Sequence, residues 1–186
     1  MTRRTWFSIS LNKSIARYDP VRGGNLETAF TFDSATRGLA VSGKSEIAVC
    51  LDGEGVVVLS ADGRKIAGLT EVDGRKLAAP TSVIFLDDGS LVITDASQSP
   101  GAEWKRDYLL SGKTGRIIHW DMAGNARSLA DDLAFPYGIC EGADKTLLFT
   151  QAWDHSVWEL GTGPASGKPR VRLSNLPGIP ARIRRA

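Results

Sequence analysis

Short runs of apolar residues alternate with polar turns towards the C-terminal end of the chain. Four runs lie between Phe135 and Leu173, and each has the length of a β-strand. The turns between them are rich in glycine, aspartate and lysine, and glycine and aspartate favour tight reversals. Four short strands in roughly forty residues are typical of one blade of a β-propeller.

The same unit of strands and turns recurs upstream, with one long insertion at 96–114. No segment with an extended helical period interrupts the repeats, which favours the all-β class. We therefore predict a single partial propeller domain at 1–186, with about three and a half blades of four-stranded antiparallel sheets. Its parts are a half blade at 11–34, blades at 37–70, 80–133 and 135–176, and the start of a further blade at 177–186.

The repeats can be aligned position by position. One column holds Gly38, Ser82 and Gly138, and a second column, 13 or 14 residues later, holds Asp52, Asp95 and Gln151. Loops that enter the innermost strands converge at one end of a propeller axis, where binding and catalytic residues tend to lie. The long insertion either covers a pocket there or anchors itself through its tryptophan. The predicted ligand-binding residues are Arg37, Thr81, Trp104, Tyr137, Gln151 and Trp153.

Asp95 and His155 are the candidates for acid–base catalysis. Asp95 ends a predicted second strand, where an aspartate serves either as a general base or as a cap of the following turn. His155 follows Asp154 in a turn, and a histidine titrates near neutrality. The alternative for this pair is a hydrogen bond that stabilises the turn. The sequence has no Gly-x-Ser-x-Gly segment, so a serine hydrolase of that type is unsupported.

Charge and composition give little support for nucleic acids or membranes as binding partners. The formal net charge of +2 gives no case for nucleic acid or for an anionic membrane surface. No apolar stretch reaches the roughly 20 residues of a membrane span, and the N-terminus lacks the apolar core of a signal peptide. A cytoplasmic protein is therefore expected. Cys50 and Cys140 lack metal-ligand or redox spacing, so we expect two buried free thiols, with a disulfide as the alternative.

Four segments between residues 80 and 183 carry a family resemblance. They are Asp88–Ser97 at a strand end, Lys113–Ile118 in the next strand, Leu133–Ile139 at a blade opener, and Asn175–Pro180 in a turn. On these motifs the chain resembles the strictosidine synthase-like family of six-bladed propellers and, more distantly, the gluconolactonase/senescence-marker-protein family. The resemblance implies an incomplete six-bladed β-propeller that hydrolyses small ester or lactone substrates in an axial pocket. The alternative is a non-catalytic fragment, or a remnant that binds a small ligand or another partner.

The resemblance also bears on cofactors. Gluconolactonase-like relatives hold a divalent cation such as calcium near the axis, with asparagines in the openers that correspond to Thr81 and Tyr137. Calcium prefers several hard oxygen ligands, and Arg37 would repel it, so no metal or other cofactor is predicted. The glutamate that acts as acid and base in strictosidine synthase belongs to a late blade, which has no counterpart before Ala186. The resemblance therefore does not bring that reaction to this chain.

Six blades need roughly 270–300 residues at this spacing. The chain has 186 residues. Three explanations are open: a fragment of a longer protein, a degenerate gene product, or a chain that completes its ring by self-association with a second copy. A small molecule is the expected ligand.

Overall fold

A computed structural model of the chain describes residues 5–9, 12–21, 23–99, 103–162 and 167–185, with side chains from residue 12 onward. Three four-stranded antiparallel sheets follow one another, each with its strands in chain order. The first contains β4 (Thr36–Val41), β5 (Ile47–Leu51), β6 (Gly55–Leu59) and β7 (Lys65–Leu69). The second contains β10 (Pro80–Phe85), β11 (Leu91–Asp95), β12 (Gly115–Trp120) and β13 (Ala126–Leu133). The third contains β14 (Pro136–Glu141), β15 (Thr146–Gln151), β16 (Ser156–Gly161) and β17 (Arg170–Leu173).

Smaller elements lie beside these blades. A three-stranded N-terminal sheet contains β1 (Thr5–Ile9), β2 (Ser14–Tyr18) and β3 (Glu27–Thr31), and a short hairpin contains β8 (Glu71–Val72) and β9 (Arg75–Lys76). The insertion of the second blade carries a helix, α1 (Trp104–Leu109). The described residues hold no apolar helix of the length that a bilayer requires. Sheets of consecutive, antiparallel strands confirm the prediction of an all-β, partial propeller.

The core lies between neighbouring sheets, and β5 shows how it is built. Ala48 and Cys50 pack into the cluster shared with the following blade, while Ile47, Val49 and Leu51 pack into the cluster shared with the N-terminal sheet. Side chains alternate across a strand, so a strand with both faces covered is a continuous apolar run. This explains why inner strands appear in the sequence as short, uninterrupted hydrophobic stretches.

The N-terminal sheet begins earlier than the sequence predicts. Two strands are expected in the half blade at 11–34, but the structure adds β1, which pairs with β2 from Thr5↔Tyr18 to Ile9↔Ser14. The residues Thr-Trp-Phe-Ser-Ile favour a strand by their β-branched and aromatic side chains. The run is only five residues long, however, and has no partner in the sequence pattern. β1 packs beside β4 in the same way as β5 packs beside β10. β5 is the second strand of its blade and β10 is the first strand of the next. β1 therefore occupies the place of a second strand in the N-terminal sheet.

The predicted alignment of the second column is wrong by one residue. The strand registers pair Thr36 with Leu51, Pro80 with Asp95, and Pro136 with Gln151. Leu51 is therefore the counterpart of Asp95 and Gln151, and Asp52 lies one residue beyond its strand. The register of backbone hydrogen bonds decides which residues are equivalent, because a shift of one residue moves a side chain to the other face of the sheet.

Residues 179–183 occupy the place of an innermost strand without forming one. A Cβ on Gly38 would meet the carbonyl oxygen of Thr81 at 2.6 Å, and a Cβ on Gly138 would meet that of Ala181 at 2.4 Å. The segment thus packs on the third blade as β10 packs on the first. The sequence predicts a strand here, as the start of a further blade at 177–186. The described part, 177–185, has no strand assignment because no described strand pairs with it.

Both cysteines are free thiols. Cys50 is fully buried, and desolvation raises the pKa of its thiol to about 12. In a Cys140→Ser variant, we expect Cys50 to resist Ellman's reagent at pH 8 in native buffer and to react fully in urea, because the thiolate is the reactive form. Rapid reaction of the native variant would contradict this prediction, and wild-type protein in urea provides the two-thiol reference.

Candidate functional site

A cavity of about 340 Å³ opens where the innermost strands begin. Arg37, Thr81 and Tyr137 are the second residues of β4, β10 and β14, and all three line it. Trp104 of α1 and Trp153, which follows β15, line it as well. The structure therefore brings five of the six predicted ligand-binding residues to one cavity. Their role in binding stays a prediction.

Four aromatic side chains form one wall of this cavity, which we call the aromatic wall: Trp104, Phe135, Tyr137 and Trp153. Phe135 is central, since its ring stacks on Trp153 with centroids 4.4 Å apart and planes 23° apart. Trp104 and Tyr137 approach the same ring with centroid distances of 5.9 Å and 6.1 Å. Such a surface suits a flat, apolar ligand.

Phe135 is missing from the predicted site residues, and its backbone shows why it reaches the cavity. It connects β13 to β14 with a φ of 56°, a left-handed conformation that a bulky residue seldom adopts. Pro136 follows it and further disfavours helical backbone angles at this position. Strained backbone of this kind concentrates at functional sites. The signal for it in the sequence is the Phe-Pro pair at the blade opener.

An ion pair supplies the charge in the cavity. Arg37 Nη2 donates to Asp52 Oδ2 at 2.7 Å, and the Asp52 side chain is only 13% exposed. Among the described residues that line the cavity, Arg37 is the only cation and Asp52 the only carboxylate. The sequence-based prediction did not include Asp52 among the site residues, although it placed Asp52 in the same column as Asp95 and Gln151. Its place one residue later lets it reach Arg37.

The Thr81 hydroxyl is engaged by the blades. Its Oγ1 lies 3.2 Å from the carbonyl oxygens of Pro136 and Tyr137 and 3.0 Å from Thr94 Oγ1. A hydroxyl has one proton to donate, and these neighbours already compete for it. Thr81 therefore joins two blades, and its proton is already shared among acceptors of the protein.

Asp95 is not among the described residues that line the cavity, and its role as a general base stays a prediction. Its carboxylate accepts hydrogen bonds from Ala79 N (2.8 Å), Gln98 Nε2 (3.0 Å) and Arg116 Nε (3.1 Å). Both partners of the Asp95–Arg116 ion pair are fully buried. Desolvation raises the pKa of Asp95, and the bonds from Ala79 and Arg116 oppose that shift. A buried carboxylate that accepts several hydrogen bonds from fixed donors is typical of a structural group.

Gln151 and His155 also fall outside the cavity. Gln151 is buried, and its Oε1 accepts a hydrogen bond from Ala134 N at 2.6 Å, so it fixes the opener of the third blade. His155 Nδ1 lies 3.1 Å from the carbonyl oxygen of Gly178, and its backbone φ of 47° belongs to a turn. The turn-stabilising alternative for His155 therefore fits the structure better than a catalytic role.

The cavity does not suit the calcium ion that the fold type implies. Calcium takes six to eight oxygen ligands. Among the described lining residues, Asp52 has the only carboxylate, and it is paired with Arg37, whose guanidinium would repel a cation. The described part of the chain contains no group of three or more His, Cys, Asp or Glu side chains suited to a metal. No chemical step is therefore derived from a metal.

Comparisons with known proteins extend these observations. Scans against protein-family models and against curated protein sequences give no match. Among solved structures, a gluconolactonase from Xanthomonas campestris aligns with a TM-score of 0.79 at 18% identity, over 97% of this chain and 62% of its own. The fold is that of a gluconolactonase-like β-propeller. The resemblance to gluconolactonase propellers is thus confirmed at the level of the fold, while the strictosidine synthase likeness and the six-blade count stay predictions.

Other structures with this fold have unrelated roles. A chain of the nidogen/laminin complex aligns with a TM-score of 0.74 at 24% identity, over 97% of this chain and 64% of its own. Virginiamycin B lyase from Staphylococcus aureus aligns with a TM-score of 0.69 at 18% identity, over 96% of this chain and 55% of its own. This chain therefore spans between 55% and 64% of the lengths of the three proteins. Because one fold occurs in a gluconolactonase, a lyase and a chain of the nidogen/laminin complex, the function has to be argued from the site.

Proposed function

We propose that the axial cavity binds a small organic molecule that has a flat apolar ring next to an ester or lactone group. The observation that carries this proposal is the presence of the aromatic wall and the Arg37–Asp52 pair in one cavity. The ring would stack on Phe135 and Trp153, and the guanidinium of Arg37 would donate to the carbonyl oxygen. The gluconolactonase-like fold supports a lactone as the ligand class.

The scarcity of polar groups favours an aromatic lactone over a sugar lactone. A polyhydroxylated ring needs several donors and acceptors, and each unpaired hydroxyl loses affinity when it is buried. Among the described residues that line the cavity, Arg37 and Asp52 are the only charged ones, and the Thr81 hydroxyl already donates to acceptors of the blades. We therefore expect a preference for coumarin-like bicyclic lactones over gluconolactone.

Hydrolysis is the reaction that the ion pair supports. The Asp52 carboxylate would take a proton from a water molecule whose oxygen attacks the carbonyl carbon. Arg37 would stabilise the negative charge that develops on the carbonyl oxygen. The ring C–O bond then breaks, and the leaving oxygen takes a proton, so that a hydroxy acid is the product. Binding without turnover is the alternative, and it would make the protein a non-catalytic ligand-binding propeller.

Replacement of Trp153 tests the binding proposal. Trp153→Ala is expected to weaken coumarin binding by roughly tenfold or more, since it removes half of the stacked pair at the centre of the wall. Isothermal titration calorimetry of wild type and variant measures the effect. Leu173→Ala, on the exposed face of β17, is the control and should bind as wild type does. Equal affinity of wild type and Trp153→Ala for coumarin would show that the aromatic wall is not the binding site.

A further inference from the structure

Helix α1 completes the aromatic wall from outside the blades. Its first residue, Trp104, packs near Phe135, and Tyr108 meets the Trp153 ring edge-on, with centroids 5.4 Å apart. Trp104 and Tyr108 are four residues apart and so lie on one side of the helix. The contact of Trp104 with Phe135 inside the cavity, and the contact of Tyr108 with the ring of Trp153, therefore depend on the position of α1.

Nothing within α1 accounts for its position. A helix of six residues is too short to be stable without tertiary contacts. Glu103, at its start, makes no capping hydrogen bond through its side chain. At its end, Leu109 and Leu110 are 80% and 70% exposed, so they do not anchor it either. The helix has to be fixed by contacts with the rest of the chain.

A buried carboxylate provides those contacts. Asp107 is only 7% exposed, and its Oδ2 accepts hydrogen bonds from Ser97 Oγ at 2.7 Å and from Thr114 Oγ1 at 2.6 Å. Ser97 follows β11, and Thr114 precedes β12. One side chain of α1 is thus tied to both ends of the insertion, where the insertion leaves and rejoins the blade.

The two hydroxyls are oriented towards Asp107 by the backbone. Ser97 Oγ accepts a hydrogen bond from Ser99 N at 3.0 Å, and Thr114 Oγ1 accepts one from Gln98 N at 3.1 Å. Since each oxygen already accepts an N–H, its own proton is free to be donated to the carboxylate. Hydrogen bonds to a charged acceptor in a buried place are among the stronger ones in proteins.

Gly112 provides the space that this arrangement requires. Its N–H donates to the carbonyl oxygen of Asp107 at 2.8 Å, and a Cβ built on it would lie 1.6 Å from Asp107 Oδ1. Any side chain at residue 112 would therefore displace the carboxylate. This makes Gly112 an independent way to disturb the same contact without changing a charge.

We propose that Asp107 is a positioning residue that fixes α1 and thereby makes the cavity selective for ring-bearing ligands. The inference rests on the proposed binding function of the cavity. Asp107 itself does not line the cavity, so it acts through Trp104 and Tyr108. When Asp107 is lost, the blades keep their core, but the aromatic wall loses Trp104, and Trp153 loses its edge-on contact with Tyr108.

Two variants of the whole chain test the proposal with coumarin as the probe. Asp107→Ala and Gly112→Ala are both expected to weaken coumarin binding by at least about tenfold, which corresponds to a loss of about 1.4 kcal/mol in binding free energy. Both should also lose the near-ultraviolet circular dichroism that arises from the packed aromatic rings, while the far-ultraviolet spectrum of the sheets is kept. Asp107→Asn, whose amide oxygen still accepts one hydroxyl, is expected to restore part of the affinity.

The control is Asp87→Ala, which removes an exposed carboxylate from the turn after β10 and should match wild type in both measurements. Wild-type affinity and an unchanged near-ultraviolet spectrum in Asp107→Ala would overturn the proposal. So would a loss of affinity that only follows a general loss of folded protein. If wild type does not bind coumarin, the proposed ligand class fails, but the near-ultraviolet spectra of the variants still decide whether Asp107 positions the rings.

Discussion

Asp95→Ala is expected to lower the free energy of unfolding by about 3–5 kcal/mol, because it leaves a charged arginine unpaired in the core. Arg116 is fully buried and donates to Asp95 Oδ2. It also donates to the carbonyl oxygens of Val72 (3.0 Å), Arg75 (2.9 Å) and Lys76 (3.0 Å). The ion pair therefore joins the second blade to the β8–β9 hairpin, and its loss affects both.

Urea denaturation followed by circular dichroism measures this change. The matched control is Arg17→Ala, which breaks the Arg17–Glu27 pair on the surface of the N-terminal sheet, where the two side chains are 41% and 67% exposed. Exposed pairs contribute about 0–1 kcal/mol. The double variant Asp95→Ala/Arg116→Met should be more stable than Asp95→Ala, since the unpaired charge is gone. An Asp95→Ala midpoint equal to that of wild type would show that the pair does not stabilise the core.

The repeat made much of the fold predictable. Each blade opens with a similar short segment, and the second residue of each opener is Arg37, Thr81 or Tyr137. Equivalent positions in successive blades lie around one axis, so an alignment of openers is enough to bring these side chains together. The buried inner strands were also recognisable, because strands with two covered faces are continuous apolar runs.

Side-chain direction was not predictable to the same degree. The alternation of a strand has a period of two, so a shift of one residue moves a side chain to the other face. Asp95 ends its strand and faces the buried arginine, whereas Asp52, one position further in its own blade, reaches Arg37 in the cavity. The sequence therefore shows that carboxylates lie near the ends of these strands, but it does not show whether Asp52 or Asp95 enters the site.

The insertion shows a second limit of the sequence. Its α1 is six residues long, too short to produce a helical period that stands out from a loop. Its position depends on Asp107, Ser97 and Thr114, which meet only after the blade has folded. Trp104 could be named as a candidate, because a tryptophan on a long insertion is conspicuous. Its contact with Phe135 required the structure.

Asp52→Asn is expected to reduce the rate of dihydrocoumarin hydrolysis by about 10²–10⁴-fold, the usual contribution of a general base. Asparagine has nearly the same shape but cannot take a proton from water. The aromatic wall is unchanged in this variant, so coumarin affinity should change little. The measurements are kcat/KM for dihydrocoumarin and the dissociation constant for coumarin. Asp87→Asn, in an exposed turn, is the control for a carboxylate replaced far from the cavity.

The Arg37→Met variant distinguishes the role of Arg37 from that of Asp52. If Arg37 stabilises the developing oxyanion, its loss should lower kcat by about 10²–10³-fold, as the removal of one such donor does elsewhere. The same substitution removes the ion-pair partner of Asp52, whose side chain is only 13% exposed. Full activity of Asp52→Asn would exclude Asp52 as the base. Coumarin binding by a wild-type protein that does not turn over dihydrocoumarin would exclude hydrolysis and leave ligand binding as the function, because stacking on the aromatic wall does not require Asp52 to act as a base.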